Sequence, residues 1–136
     1  MAERILVVDY GETIIGIQNA NGGKYIPYFD EKRIRALERL EQADEVVTYN
    51  GNRYDIGKLN NLSIMLRGRE FLIAGIHTDM RELCWPGIIG SSLESTFNKY
   101  YDQSRVFPDT YEGSNQKDVY MTLMLWRYWK KLGRFK

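Results

Sequence analysis

The chain has 136 residues, 43% hydrophobic and 13% aromatic, with 19 basic and 18 acidic side chains for a formal net charge of +1. Residues 1–136 are expected to form a single domain with a real core, and a near-neutral balance does not by itself announce a nucleic-acid partner. No run of about 18 apolar residues exists, which excludes a membrane span, and no leader is visible at the start, so the expected location is the cytoplasm.

One cysteine, Cys84, excludes an internal disulfide and a cysteine-based zinc site. One histidine, His77, argues against a His-rich metal centre or a catalytic triad. Acidic residues must carry any metal chemistry, which points to hard ions such as magnesium or manganese.

Taken in chain order, Arg4–Asp9 is an apolar run closed by an acid, the pattern of a strand buried on both faces. Thr13–Gln18 predicts a second strand and Asn19–Gly23 a turn. Lys24–Phe29 predicts a third strand, placed at an edge by Pro27. Together they predict an antiparallel meander. Asp30–Ala43 predicts an amphipathic helix, with Asp30 as N-cap and Ile34, Leu37 and Leu40 at helical spacing. Glu45–Tyr49 predicts a fourth strand, followed by a polar turn and a helix over Asp55–Leu66. Phe71–Ile76 predicts a fifth strand and Asp79–Leu83 a short helix. Ile89–Leu93 predicts a cap leading into a helix through Tyr101. Residues 102–114 read as a polar loop, and the last helix is expected from about Asn115 to Lys131. The order β-β-β-α-β-α-β-α predicts a mixed α/β sheet.

Three acids stand at the ends of these elements. Asp9 closes the first strand, Asp55 follows the fourth, and Asp118 lies in the first turn of the last helix. A carboxylate just past a core strand has a rigid scaffold behind it and an open turn in front, as a metal ligand requires. Phosphodiester hydrolysis by two divalent ions about 4 Å apart needs several such carboxylates to converge. Plainer roles suit the same residues: Asn50 and Asp55 can simply form a turn and a helix cap. The last ten residues hold five basic side chains interleaved with aromatics, which suits phosphate contact and base stacking, or equally a solvated helix end. His77 reads as a structural histidine, Cys84 as packing, and Tyr120 as a packed helix residue. One of Trp126 and Trp129 is expected to pack on the sheet.

The segment Asn50-Gly51-Asn52-Arg53-Tyr54-Asp55, after its apolar run, resembles the second motif of the DEDD 3′–5′ exonucleases of the ribonuclease H-like superfamily. The stretch Asn115–Leu123 around Asp118 resembles the third motif. His77–Arg81 resembles a family landmark in which a strand ends in His or Asp and a second acid caps the next helix, and Gly90–Leu93 resembles the step into the following helix. The resemblance spans nearly the whole chain in order. It implies a ribonuclease H-like mixed sheet of order 3-2-1-4-5 with helices on both faces. It implies metal-dependent 3′–5′ hydrolysis of single-stranded DNA or RNA, similar to stand-alone phage and bacterial proteins. Asp9, Glu12, Asp55 and Asp118 would be the catalytic metal ligands for two magnesium or manganese ions. Asn50 and Tyr54 would border the substrate, and Lys117 would contact phosphate.

Two features depart from the family pattern. The first motif is normally Asp-x-Glu, whereas this chain has Asp9-Tyr10-Gly11-Glu12. A bulge at Tyr10–Gly11 is expected to restore the direction of Glu12. The third motif normally carries Tyr four residues, or His five residues, before the acid. Those positions are Ser114 and Gly113, with Tyr111 further back. Loss of a water-orienting group costs roughly 10²–10⁴ in rate, so weak turnover is expected. A catalytically degenerate module that binds nucleic acid or a protein is the alternative. A Holliday-junction resolvase-like nuclease is a further one, although Tyr49-Asn50 stands where that group has Glu.

Overall fold

The structure, a computed structural model, describes residues 4–84, 92–101 and 105–132. The expected step at Gly90–Ser91 and the basic residues Arg134 and Lys136 lie outside the described residues.

Strand β1 (Ile5–Tyr10) is the centre of a five-stranded sheet of order β3-β2-β1-β4-β5. It pairs antiparallel with β2 (Ile14–Asn19), which pairs antiparallel with β3 (Ile26–Phe29). On its other side it pairs parallel with β4 (Glu45–Thr48), which pairs parallel with β5 (Ile76–Asp79). The expected meander and mixed sheet are present, and Pro27 lies on the edge strand, where a missing N–H costs no ladder bond.

Alternation along β1 feeds two cores, because successive side chains leave a strand on opposite faces. Leu6 and Val8, with Ile15, Ile17 and Val46, pack against helices α1 (Arg33–Gln42) and α2 (Asp55–Arg67) through Ala36, Leu37, Leu40, Leu59 and Leu62. Ile5 and Val7, with Val47, pack against Met80 of α3 (Met80–Cys84) and against Val119, Leu123 and Trp126 of α5 (Tyr111–Leu132). Each buried aliphatic side chain contributes about 1.5–3 kcal/mol. Helix α4 (Leu93–Tyr100) starts at Ser92, whose hydroxyl accepts from Ser95 N at 3.1 Å, and Phe97 anchors it.

The structure corrects several expected elements. The fifth strand is Ile76–Asp79, not Phe71–Ile76. The apolar run before it is a packed loop: Phe71 N donates to Asn60 Oδ1, and Leu72 N to Glu41 Oε2, both at 3.0 Å. Gly75 lies against the carbonyls of Ala43 and Asp44, where no side chain fits. Glu41 also takes a two-pronged hydrogen bond from Arg67, at 2.7 and 3.1 Å, which holds its carboxyl below the usual range. Asp30 is not a side-chain cap: it has a left-handed φ of 50° and opens a 3₁₀ turn ahead of α1. The last helix begins four residues earlier than expected because Thr110 caps it, its Oγ1 accepting from Gly113 N at 2.9 Å.

Candidate active site

The site forms where β1, the turn after β4 and α5 meet; Asp118 lies about two turns into α5, not in its first turn as expected, because the helix begins at Tyr111. Asp9 is an odd-numbered β1 residue like Ile5 and Val7, so its side chain leaves on the α5 face. There it shares a hydrogen bond with Asp118. Burial, Asp118 and Asp55 together raise the Asp9 carboxyl well above its ordinary range. Burial also raises Asp118. The shared hydrogen bond raises Asp9 and lowers Asp118, so the two carboxyls titrate as one pair.

Asp55 arrives by a different route. Chain reversal after β4 uses Asn50 in a left-handed conformation, φ 63°, and the carbonyl of Asn50 accepts from Arg53 N and Tyr54 N, both at 3.2 Å. Asp79, at the end of β5, fastens this turn. Its carboxylate accepts from Asn50 N at 2.6 Å, Asn52 N at 3.2 Å and Arg81 N at 3.1 Å. The expected helix-capping acid therefore also holds the loop that delivers Asp55. Asp55 is the first residue of α2 and is 7% exposed. Its carboxyl is pushed up to about 7 by burial, against the lowering pull of Lys58 and a hydrogen bond from the Tyr10 backbone. Its Oδ2 is buried and has no hydrogen-bond partner among the described residues.

Two residues that the sequence reading did not single out position Asp9. Asn115 Nδ2 donates to the Asp9 carbonyl at 3.0 Å and to Asp9 Oδ2 at 3.1 Å. Tyr25 OH donates to Asn115 Oδ1 at 2.7 Å, which fixes the amide's orientation. Gly16 pairs with Asp9 across the β1–β2 ladder, and a methyl there would collide with the Asn115 side chain. A glycine inside a strand was the available signal, since it marks a close approach from another element.

The expected bulge is absent. The β1–β2 register runs unbroken to Tyr10↔Ile15, and Gly11 N donates to Ile14 O at 2.8 Å. Glu12 instead occupies the two-residue turn beyond the ladder and is exposed. It lines the same cavity of about 180 Å³ as Asp9, Tyr111, Ser114 and Asp118. Gly113 could not be a histidine, because a side chain there would run into the Pro108 backbone. Ser114 is exposed one turn before Asp118.

Of the remaining residues, Tyr54 is half exposed, and Lys117 is paired with Glu94 at 3.2 Å. His77 Nε2 lies 2.8 Å from Thr48 Oγ1, a satisfied structural histidine whose proton affinity burial lowers. Burial pushes the Cys84 thiol up to about 12, so it is no nucleophile. Tyr120 packs between Phe97 and Phe107, and Trp126 is the tryptophan buried on the sheet.

The donor set is all oxygen and therefore hard, and it includes one buried carboxylate oxygen without a partner, which suits a magnesium- or manganese-like ion. Among the described residues, no three acidic, histidine or cysteine side chains stand as a ready ligand set for one ion.

A five-stranded mixed sheet of this order with helices on both faces is the ribonuclease H-like fold. A solved structure bears this out: the family B DNA polymerase from the hyperthermophilic archaeon Pyrobaculum calidifontis superposes with a TM-score of 0.70 at 15% identity, over 96% of this chain. The chain corresponds to 25% of that polymerase's length. No protein-family model and no curated protein matches the sequence. The chain thus has the ribonuclease H-like fold. Among the described residues no helix is long and apolar enough to cross a membrane.

Proposed function

We propose that this chain is a metal-dependent 3′–5′ exonuclease of the DEDD type that acts on single-stranded DNA or RNA. The observation that carries this reading is that Asp9, Asp55 and Asp118, each raised by burial, lie close enough to act on one another, and that among the described residues the buried Asp55 Oδ2 has no hydrogen-bond partner. Mutually repelling buried acids cost stability, and structures keep such arrangements where a cation or a reaction uses them. The fold neighbour is by name a DNA polymerase, which accords with a nucleic-acid substrate.

Asp9, Asp55 and Asp118 would hold two magnesium or manganese ions, with Glu12 on the rim. Bound there, the ions would supply an activated water and neutralise charge on the departing 3′-oxygen. For the ions to bind, the proton shared by Asp9 and Asp118 must leave. Asn115 keeps Asp9 aimed while this happens, and Asp79 keeps the Asn50–Tyr54 turn closed beneath the substrate. Ser114 and Gly113 leave the attacking water without a Tyr or His to orient it, so turnover is slow.

The exposed position of Glu12 favours a second reading, a degenerate module that binds nucleic acid without cutting it. A time course of 3′-end digestion in manganese separates the two, comparing wild type with Asp55→Ala and Asp118→Ala. Wild type should shorten the strand while both variants leave it intact. Equal rates for all three would replace the exonuclease with the binding module.

A further inference from the structure

Lys58 stands one turn after Asp55 on α2, so its stem rises along the same helix face. Its ammonium lies 6.0 Å from the Tyr10 ring centre and 5.9 Å from that of Tyr54. A cation near the faces of two rings is attracted by both, so an exposed side chain acquires a preferred place. That place is beside the acids, since Asp9 and Asp55 both feel its positive field. Lys117, which lies one residue before Asp118, is paired with Glu94. Among the described residues the Lys58 ammonium makes no ion pair within 4.0 Å. Arg53 lies over the same Tyr54 ring at 5.8 Å, so this wall of the cleft offers two cations around one half-exposed aromatic ring.

We propose that Lys58 is a catalytic residue that holds a non-bridging oxygen of the substrate's terminal phosphodiester, beside the Tyr10 and Tyr54 rings. The proposal rests on the nuclease reading and adds a contact that the acids cannot make. A phosphate approaching these acids is repelled as they ionise, and an ammonium beside them offsets that repulsion. It also explains why the nearest cation is not consumed by a carboxylate: the rings hold it between the acids and the incoming strand.

The test separates substrate binding from ion binding. A short 5′-fluorescein-labelled oligothymidylate is titrated by anisotropy at several salt concentrations, with calcium present to hold back hydrolysis. Manganese binding is counted separately by its electron paramagnetic resonance signal. Lys58→Gln should weaken oligonucleotide binding about ten-fold and flatten the log–log salt slope by about 0.7, the share of one single-strand phosphate. Manganese should bind as well as before or more tightly, because a repelling charge is gone. Lys58→Arg should restore the salt slope. Unchanged oligonucleotide affinity and slope in Lys58→Gln, with manganese binding intact, overturns the Lys58 assignment and leaves the nuclease reading standing. Loss of both kinds of binding in that variant makes Lys58 structural and also overturns it. Wild type that binds neither manganese nor the oligonucleotide overturns both readings.

Discussion

Asn115 grips Asp9 twice, donating from one amide nitrogen to the backbone carbonyl at 3.0 Å and to the carboxylate at 3.1 Å. A single side chain thereby fixes both where the strand ends and where its acid points. Asn115→Ala is expected to leave Tyr25 OH and the Asp9 carbonyl without this partner, at a cost of about 1–3 kcal/mol. Manganese affinity should fall by about 10–100-fold, as for other groups that orient a ligand. Thermal melting and a manganese titration check the two effects, and an unchanged affinity would show that Asp9 needs no such support.

Gly16→Ala tests the same clamp from the other side. The added methyl falls on the Asn115 side chain and close to the Tyr25 ring, so Asn115 must move. A loss of about 1–3 kcal/mol is expected from overpacking, with the same fall in manganese affinity as Asn115→Ala. The double variant should be no worse for manganese than either single one, because both act through one contact.

The raised Asp55 carboxyl makes stability depend on pH in an unusual sense. Its folded value of about 7 lies above the ordinary aspartate value of 3.8, so the native state binds the proton more tightly than the unfolded chain. Its contribution is fully favourable below about 4 and is lost as pH rises through about 7. Metal-free protein should therefore melt at a lower temperature at pH 8 than at pH 5.5. Asp55→Asn should melt higher than wild type at pH 8 and flatten the dependence, and a melt that follows wild type at every pH would contradict the burial argument. Manganese should recover the lost stability at pH 8 by binding the native state.

Asp79→Ala frees three backbone N–H groups at once, those of Asn50, Asn52 and Arg81. Bonds to a charged acceptor are worth about 1.5–3 kcal/mol each, and water compensates part of the loss, so a net cost of about 3 kcal/mol is expected. The turn before α2 should become the first point of limited proteolysis. Cleavage elsewhere, with this turn intact, would mean that Asn50's left-handed backbone holds without Asp79.

Much of this arrangement could be read from the chain, and the reasons differ by element. Apolar runs that stop at an acid marked β1 and its Asp9, and the polar turn after β4 marked Asp55, because burial and exposure change sharply there. The β5 register was hidden, since Phe71–Ile73 is as apolar as a strand yet forms a loop beside Glu41, with Phe71 buried and Leu72 exposed. The start of α5 was hidden because Gly113 looks like a breaker and is instead a contact point for Pro108. The hold of Asn115 on Asp9 joins residues 106 positions apart, and local pattern carries no trace of it except Gly16.

That separation bears on how the site is built in time. Ribosomes make β1 first and α5 last, so Asp9 emerges long before the helix that completes its surroundings. Closing so long a loop is entropically slow, and the contact it yields comes late in folding. The turn carrying Asp55 needs only β4 and β5 and can form earlier. Tight manganese binding should consequently appear only in the final kinetic phase of refolding, which makes the ion a reporter for docking of α5. A chain that has folded its sheet but not seated α5 would have no competent ion site.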